Sequence, residues 1–338
     1  MEDDRAANKG VDVQVRAAFR QDRRRFLQQV SAGAMAIVGS QAMHGAACKA
    51  EQAPASPSVG PGGLPTIRIG KHRLTRLIVG SNPVEGYSHS SSKLDLHMGE
   101  YFTLEKTVEF ISSCEQLGIN TWQSGHGPSQ KVLDALKILR ERGSKIQWCC
   151  LATETRPGDS QKSVKELLSY KPIAIIHHGG ATDSLFREGK AEQVHDYVKK
   201  VHDAGVTAGV SAHNPANIAY MEEHGWENEF FMTCLYQVSR PGEEIRRKLG
   251  TGILDEPFLE SDRDEMTAVI RKVKRPCLAF KILAAGRLCR QPADVESAFK
   301  YAFANIKKTD GVIVGMYPRF ADEARFDVEM TLRHGGLA

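Results

Sequence analysis

The 338-residue sequence lacks the cysteine pairing of a zinc ribbon or a disulfide scaffold: it has seven cysteines, none in a C-x-x-C pair. It also lacks a strong charge bias. Forty-five Lys and Arg against 41 Asp and Glu leave a formal charge of +4, and several of those cations fall in the first 25 residues. The remainder is close to neutral, which excludes a nucleic-acid footprint. No long apolar run is present. With 41% hydrophobic and 25% charged residues, disorder and collagen-like composition are excluded. A chain of this length buries one large core or two ordinary ones.

The N-terminus reads as an address. Residues 22–28 are D-R-R-R-F-L-Q, followed by a mild apolar stretch from Val30 to Val38. A charged segment, a short apolar run and small residues make a bacterial secretory signal. Arg23-Arg24-x-Phe26-Leu27 resembles the twin-arginine signal read by a dedicated export machinery. The apolar stretch is too short, and too rich in Gly, Ala and Ser, to span a membrane. Gly45-Ala46-Ala47-Cys48 resembles a degenerate lipoprotein processing site, at which Cys48 would carry a lipid anchor. Residues 49–65, rich in Ala, Pro, Ser and Gly, have the composition of a tether. The expected organisation is therefore a signal at 1–48, a linker at 49–65 and a folded domain at 66–338. The product is placed in the periplasm or at the cell envelope.

From residue 66 onward, β-branched or apolar runs alternate with amphipathic stretches. Strands are predicted at 77–80, 119–123, 146–152, 173–178, 207–212, 230–236, 277–283 and 312–316. Helical patterns lie near 103–117, 129–142, 160–170, 190–204, 215–223, 262–274, 292–305 and 321–333. In the seventh, Val295, Ala298, Phe299, Ala302 and Phe303 share one face. Leu117-Gly118 and Ala204-Gly205 supply glycine helix stops. Near-continuous apolar strands separated by helices mean a parallel sheet. Eight such units match a single (β/α)8 TIM barrel, whose usual size is about 250 residues. A doubly wound sheet needs a Gly-rich turn after its first strand, and Gly80-Ser81-Asn82-Pro83 is not one.

Barrel chemistry sits where the strands end. In order, those ends carry Asn82; Gln123 with His126; Thr153-Glu154; His177-His178; His213-Asn214; Tyr236; Lys281; and Met316-Tyr317. Four of the twelve histidines gather on units two, four and five. Side chains alternate along a strand, so only one of His177 and His178 faces the barrel axis. His213, ahead of Asn214-Pro215, suits acid-base work or bracing of its loop. Glu154 either joins the site or pairs with Arg156. Lys281 stands inside an apolar strand, where lysine is rarely buried without a partner. It is read as paired to a carboxylate such as Glu154, as an anion-binding group, or as a base or Schiff-base nucleophile with a depressed pKa. Cys149, Cys150, Cys234 and Cys277 read as small core residues. Two long loops are candidate lids: 84–101, with Tyr87, His89, Asp95 and His97, and 237–261, with Arg240, Glu243, Glu244 and Asp255.

Over most of residues 66–330 the chain resembles the aldo/keto reductase superfamily. Gly70 to Gly80 is similar to that family's opening hairpin and first strand. Gly118-Ile119-Asn120 and His126-Gly127-Pro128-Ser129-Gln130 are similar to its second strand and the turn after it. Ile176-His177, Gly209-Val210-Ser211, Tyr236 with Arg240, and Phe280 to Leu288 follow in the family's order. The resemblance implies a barrel and an NAD(P) cofactor, with Ser211, Phe280 and Arg319 as its contacts. The family's Asp, Tyr, Lys and His tetrad is broken: Gln123, His126 and Glu154 replace the first three, and only His177 matches. Ala212 and Thr233 replace further nicotinamide contacts. Export also removes the protein from a regenerating NADPH pool.

The replacements turn a tyrosine proton-donor site into an imidazole-carboxylate site. Catalytic candidates are His177, Glu154, His126 and Lys281. Substrate-binding candidates are Asn82, Gln123, Tyr236, Asn214 and Tyr317. Glu154, His178 and His213 form a candidate ligand set for Zn, Mn or Fe with an open position. The leading expectation is an exported barrel enzyme acting on a small polar, sugar-derived carbonyl or hydroxyl compound. His/Glu acid-base chemistry, with or without a metal, would make it an isomerase, lyase or hydrolase. The alternatives are a divergent NAD(P)-dependent oxidoreductase with a locked-in cofactor, and a non-catalytic ligand-binding lipoprotein.

Overall fold

A computed structural model describes residues 63–153 and 162–336, apart from the side chain of His126. The export signal, Cys48, most of the linker and Glu154 lie outside the described residues. An antiparallel hairpin opens the fold, β1 (Thr66–Ile69) against β2 (His72–Thr75). Its Ile67, Ile69 and Leu74 turn into the apolar cluster inside the barrel and cover the end where the strands begin.

Eight parallel strands then close on themselves: β3 (Leu77–Gly80), β4 (Thr121–His126), β5 (Gln147–Ala152), β6 (Ala174–His177), β7 (Thr207–Ala212), β8 (Phe230–Cys234), β9 (Cys277–Phe280) and β10 (Gly311–Gly315). The ring closes where Val312 of β10 pairs with Leu77 of β3. Alternation sorts the side chains. Ile78, Leu151, Ile176, Met232, Leu278 and Ile313 fill the interior. Their neighbours Leu77, Val79, Ile175, Val210 and Ala279 pack outward under the helices. Both faces are apolar because both are covered.

The covering helices are α1 (Ser92–Tyr101), α2 (Leu104–Gln116), α3 (Gln130–Glu141), α4 (Val164–Leu168), α5 (Gly179–Arg187), α6 (Ala191–Asp203), α7 (Pro215–Glu223), α8 (Gly242–Leu249), α9 (Glu260–Lys272), α10 (Pro292–Asn305) and α11 (Glu323–His334). The α10 face predicted from its period is the buried one, with Ala298, Phe299, Ala302 and Phe303 inward. Gly118 and Gly205 adopt φ of 89° and 74° after α2 and α6, as their stop positions require. None of the helices among the described residues is long and apolar enough to cross a membrane.

Four expectations need correction. The helix expected at 160–170 is only the five-residue α4. Helices α1, α5 and α8 were not anticipated: α1 and α8 fold inside the two long loops, and α5 begins with the poor helix formers Gly179-Gly180. The seventh barrel strand stops at Phe280 rather than 283, because Lys281 takes a left-handed φ of 57° and leaves the sheet. Finally, β4 runs on to His126 through an irregular register between Ser124 and His126.

Candidate active site

The alternation that fills the barrel decides where each rim residue points. His177 follows the inward Ile176 and so points outward, 0% exposed, into the shell formed by α5 and α6. The Thr182 hydroxyl donates to the His178 carbonyl at 3.1 Å, so at 2.7 Å it accepts from His177 Nδ1. The His177 ring lies edge-on to Tyr197, 5.2 Å away. This histidine braces helices. His178 is the N-cap of α5, its Nδ1 accepting from the Ala181 amide at 3.4 Å.

His213 continues the inward set of β7 after the buried Ser211. Its Nδ1 donates to Asp183 Oδ2 at 2.8 Å, and its backbone amide donates to the same oxygen at 2.9 Å. Asp183 also accepts from the Ser239 hydroxyl (2.7 Å), the Asn217 amide (2.8 Å) and the Asn214 backbone (3.3 Å). Burial pushes this carboxyl upward, yet the His213 bond and charge, with the Ser239 bond, outweigh it and hold it below its usual range. An ionised Asp183 fixes His213 as the Nδ1-H tautomer and leaves Nε2 for chemistry. Gly179 makes the arrangement possible: a Cβ there would lie 2.8 Å from Ser211 Oγ and 3.0 Å from His213 Cε1.

Phe280, at the end of β9 and two strands round the ring from β7, joins this pair to Lys281. Its ring meets the His213 ring at 5.6 Å and 66°, and Lys281 Nζ lies 6.0 Å from its centroid. The half-buried Lys281 has no hydrogen-bond or ion-pair partner among the described residues. Burial pulls its pKa down, against the opposing pull of Cys234 and Glu256. Glu256, from the β8–α9 loop, feels burial as an upward push. The His89 bond and the His89, Lys281 and His213 charges overcome it and hold the carboxylate low. Lys281 and His213 thus both act on this carboxylate through their charge.

The two long loops meet over this group. The Asn82 amide donates to His89 Nε2 at 3.0 Å, and His89 Nδ1 donates to Glu256 Oε1 at 2.9 Å. Arg287, from the loop after β9, donates to the His89 carbonyl at 3.0 Å and to Asp255 at 2.8 Å while lying 4.0 Å over Phe258. A cleft of about 280 Å³ opens on the Asp183 side, lined by Asp183, Asn214, Asn217, Gln237 and Ser239 among others but by none of His213, Phe280 and Lys281. A larger cleft of about 610 Å³ lies on the outer wall between α2 and the start of α11 and includes none of the rim groups.

The remaining sequence candidates scatter. Gln123 is buried inside the barrel, with its amide on the Ser124 carbonyl. Asn214 caps α7 by accepting from Ala216 at 3.0 Å. Tyr236 is 3% exposed against Phe258, and burial pushes its hydroxyl up to about 12. The Tyr317 hydroxyl pairs with His97 Nδ1 at 2.8 Å, away from the pair. Ser211 is buried, Arg319 lies 5.7 Å over Tyr101, and neither shares a hydrogen bond or ring contact with Phe280 among the described residues. The candidate metal set depends on Glu154, outside the described residues. Among those described, no three His, Cys, Asp or Glu side chains are placed to hold a metal ion. Cys149, Cys150, Cys234 and Cys277 are buried free thiols.

Sequence reasoning missed Asp183 and Glu256. Asp183 sits on the unanticipated α5, 30 residues before its partner. Glu256 lies in the loop whose expected polar residues were Arg240, Glu243, Glu244 and Asp255, the last its immediate neighbour.

No family model matches the chain, and no curated protein matches it by sequence. Solved structures similar to it include a Pseudomonas aeruginosa protein described as an aldo-keto reductase. That protein is 12% identical with a TM-score of 0.52, over 81% of this chain and 98% of that one. A truncated 3-deoxy-D-arabino-heptulosonate 7-phosphate synthase from Thermotoga maritima is 13% identical, over 80% and 91% of the two chains, with a TM-score of 0.44. Dihydropteroate synthase from Thermus thermophilus is 13% identical, over 79% and 98%, with a TM-score of 0.42. At such identities the likeness is one of fold, and function has to be argued from the site.

Proposed function

We propose that this chain is an exported barrel enzyme that moves a proton at the carbon next to the carbonyl of a small polar hydroxy-carbonyl compound, an isomerase or lyase type of reaction. The observation that carries the reading is the His213–Asp183 pair at the mouth, with Phe280 touching His213 and Lys281 lying against the same ring. An imidazole with Nδ1 held by a buried carboxylate is a general base at Nε2. As the proton leaves, charge develops on the carbonyl oxygen, and Lys281 is the group placed to meet the carbonyl. Asn82, His89 and Glu256 close the mouth above it.

The carried-over dinucleotide contacts do not fit such a cofactor, since Ser211 is buried beneath Gly179 and Arg319 is laid over Tyr101. The twin-arginine pattern and Cys48 support delivery to the cell envelope, free or lipid-anchored. The test is solvent-deuterium incorporation, followed by proton NMR, into dihydroxyacetone, glyceraldehyde and free aldose or ketose sugars. Exchange by the wild type that falls at least to the background level in His213→Ala supports the reading. Equal exchange by both proteins, or none by either, ends it.

A further inference from the structure

We propose that Lys281 is a covalent nucleophile, whose Nζ condenses with the substrate aldehyde or ketone to form an imine in the barrel mouth. This deepens the proton-transfer reading and rests on it. Three features of the site converge on the assignment. Lys281 stands at the end of β9 with no carboxylate or carbonyl holding its nitrogen among the described residues. A lysine that served only as an ion would be expected to show a salt-bridge partner or full hydration. Its backbone is left-handed at φ 57°, followed by Ala284 at 49° and Ala285 at 51°, a run of unfavourable conformations that turns the chain away from the sheet at the rim. Glu256 Oε2, buried in the same mouth, has no hydrogen-bond partner among the described residues. It is a carboxylate edge open to pair with the iminium nitrogen.

The chemistry balances without an outside reagent. The neutral Nζ attacks the carbonyl carbon, and the carbonyl oxygen takes a proton to give a carbinolamine. That oxygen leaves as water with one further proton, and the nitrogen lone pair completes the C=N bond. The product is an iminium, whose positive charge lies near Glu256. His213 Nε2 then removes the adjacent proton, and the C–H electron pair passes to nitrogen as an enamine. Burial favours this route, because it lowers the pKa of Lys281 and so increases the uncharged fraction of the amine. The substrate class is a small aldehyde or ketone bearing at least one hydrogen on the neighbouring carbon.

The experiment is reductive trapping on the full chain. The protein is incubated separately with dihydroxyacetone, glyceraldehyde and pyruvate, each with sodium cyanoborohydride, and digested peptides are mapped by mass spectrometry. The proposal predicts about tenfold more adduct on Lys281 than on any other lysine, the preference expected of a desolvated amine over hydrated ones. Lys281→Arg and Lys281→Met, each checked for a wild-type circular dichroism spectrum, abolish that adduct. The wild-type map stands by itself if either variant fails to fold. Label spread over surface lysines with Lys281 unmodified by all three probes overturns the imine. Deuterium exchange that persists in that case leaves the proton-transfer reading intact. Trapping at Lys281 without exchange would sustain the imine and refute His213 as the base.

Discussion

At Gly179 the chain has no room for a methyl group, because the Ser211 hydroxyl and the His213 ring occupy the place where it would go. Gly179→Ala must therefore push the imidazole off the Asp183 carboxylate. A misplacement of about 1 Å costs on the order of 10²-fold in rate. The expected outcome is that much loss of deuterium exchange with little change in melting temperature. Unchanged exchange would mean that His213 does not need this seat. The residue scale is also where the sequence was hardest to read. His213 was visible as a rim histidine, but the partner that gives it a role was not. Asp183 lies on a helix opened by two glycines, and single-sequence propensity argues against such a helix. The His177–His178 pair shows the opposite case. Alternation was enough to say that one of them turns away, and the register fixes it as His177.

At the scale of elements, Arg240 carries the loop that closes the mouth. Its side chain is fully buried and donates to both Asp262 oxygens at 2.8 and 3.1 Å, to Glu244 at 2.8 Å and to Gln237 at 2.9 Å. The clamp ties the start of the β8–α9 loop to α8 and α9, so the loop reaches His89 from a fixed root. Arg240→Ala leaves Asp262 buried without its cation, which costs about 3–5 kcal/mol. Urea unfolding should show the lowered midpoint, and a shift within about 0.5 kcal/mol would make the clamp incidental. Strands and most helices were legible because burial on two faces writes continuous apolar runs and burial on one face writes a 3.6-residue period. Helices α1 and α8 were not legible. Polar, largely exposed helices inside connecting loops leave neither mark, as the single buried Ile245 of α8 shows. Strand β9 was overextended because Ile282 and Leu283 continue its apolar run past the point where the backbone turns.

At the scale of the whole molecule, the barrel holds titratable groups in its wall whose protonation couples to folding. Asp327 of α11 is 3% exposed, and burial, with Glu323 nearby, pushes its carboxyl well up. A native pKa above the unfolded one means that the folded state binds more protons between the two values. Asp327 therefore lowers stability as pH rises from its unfolded pKa through its folded one. Asp327→Asn removes the ionisable group and with it that part of the slope, so the variant should gain stability relative to wild type as pH rises above the ordinary carboxylate range. Denaturant midpoints at acid and neutral pH give the comparison, and a variant that gains nothing on wild type between them would refute it. Asp183 works in the other direction. Its native pKa is held below the ordinary 3.8, so its contribution is complete above that value and is lost as pH falls through the native pKa.

The whole fold positions that one imidazole, and nitrogen-15 NMR of the ring reads its state directly. Long-range proton–nitrogen correlation on uniformly labelled protein, assigned with His213→Gln, distinguishes the two neutral tautomers. Neutral His213 is expected to carry its proton on Nδ1, and Asp183→Asn to release it to a mixture of tautomers. A wild-type His213 protonated on Nε2, or a spectrum indifferent to Asp183→Asn, would contradict it.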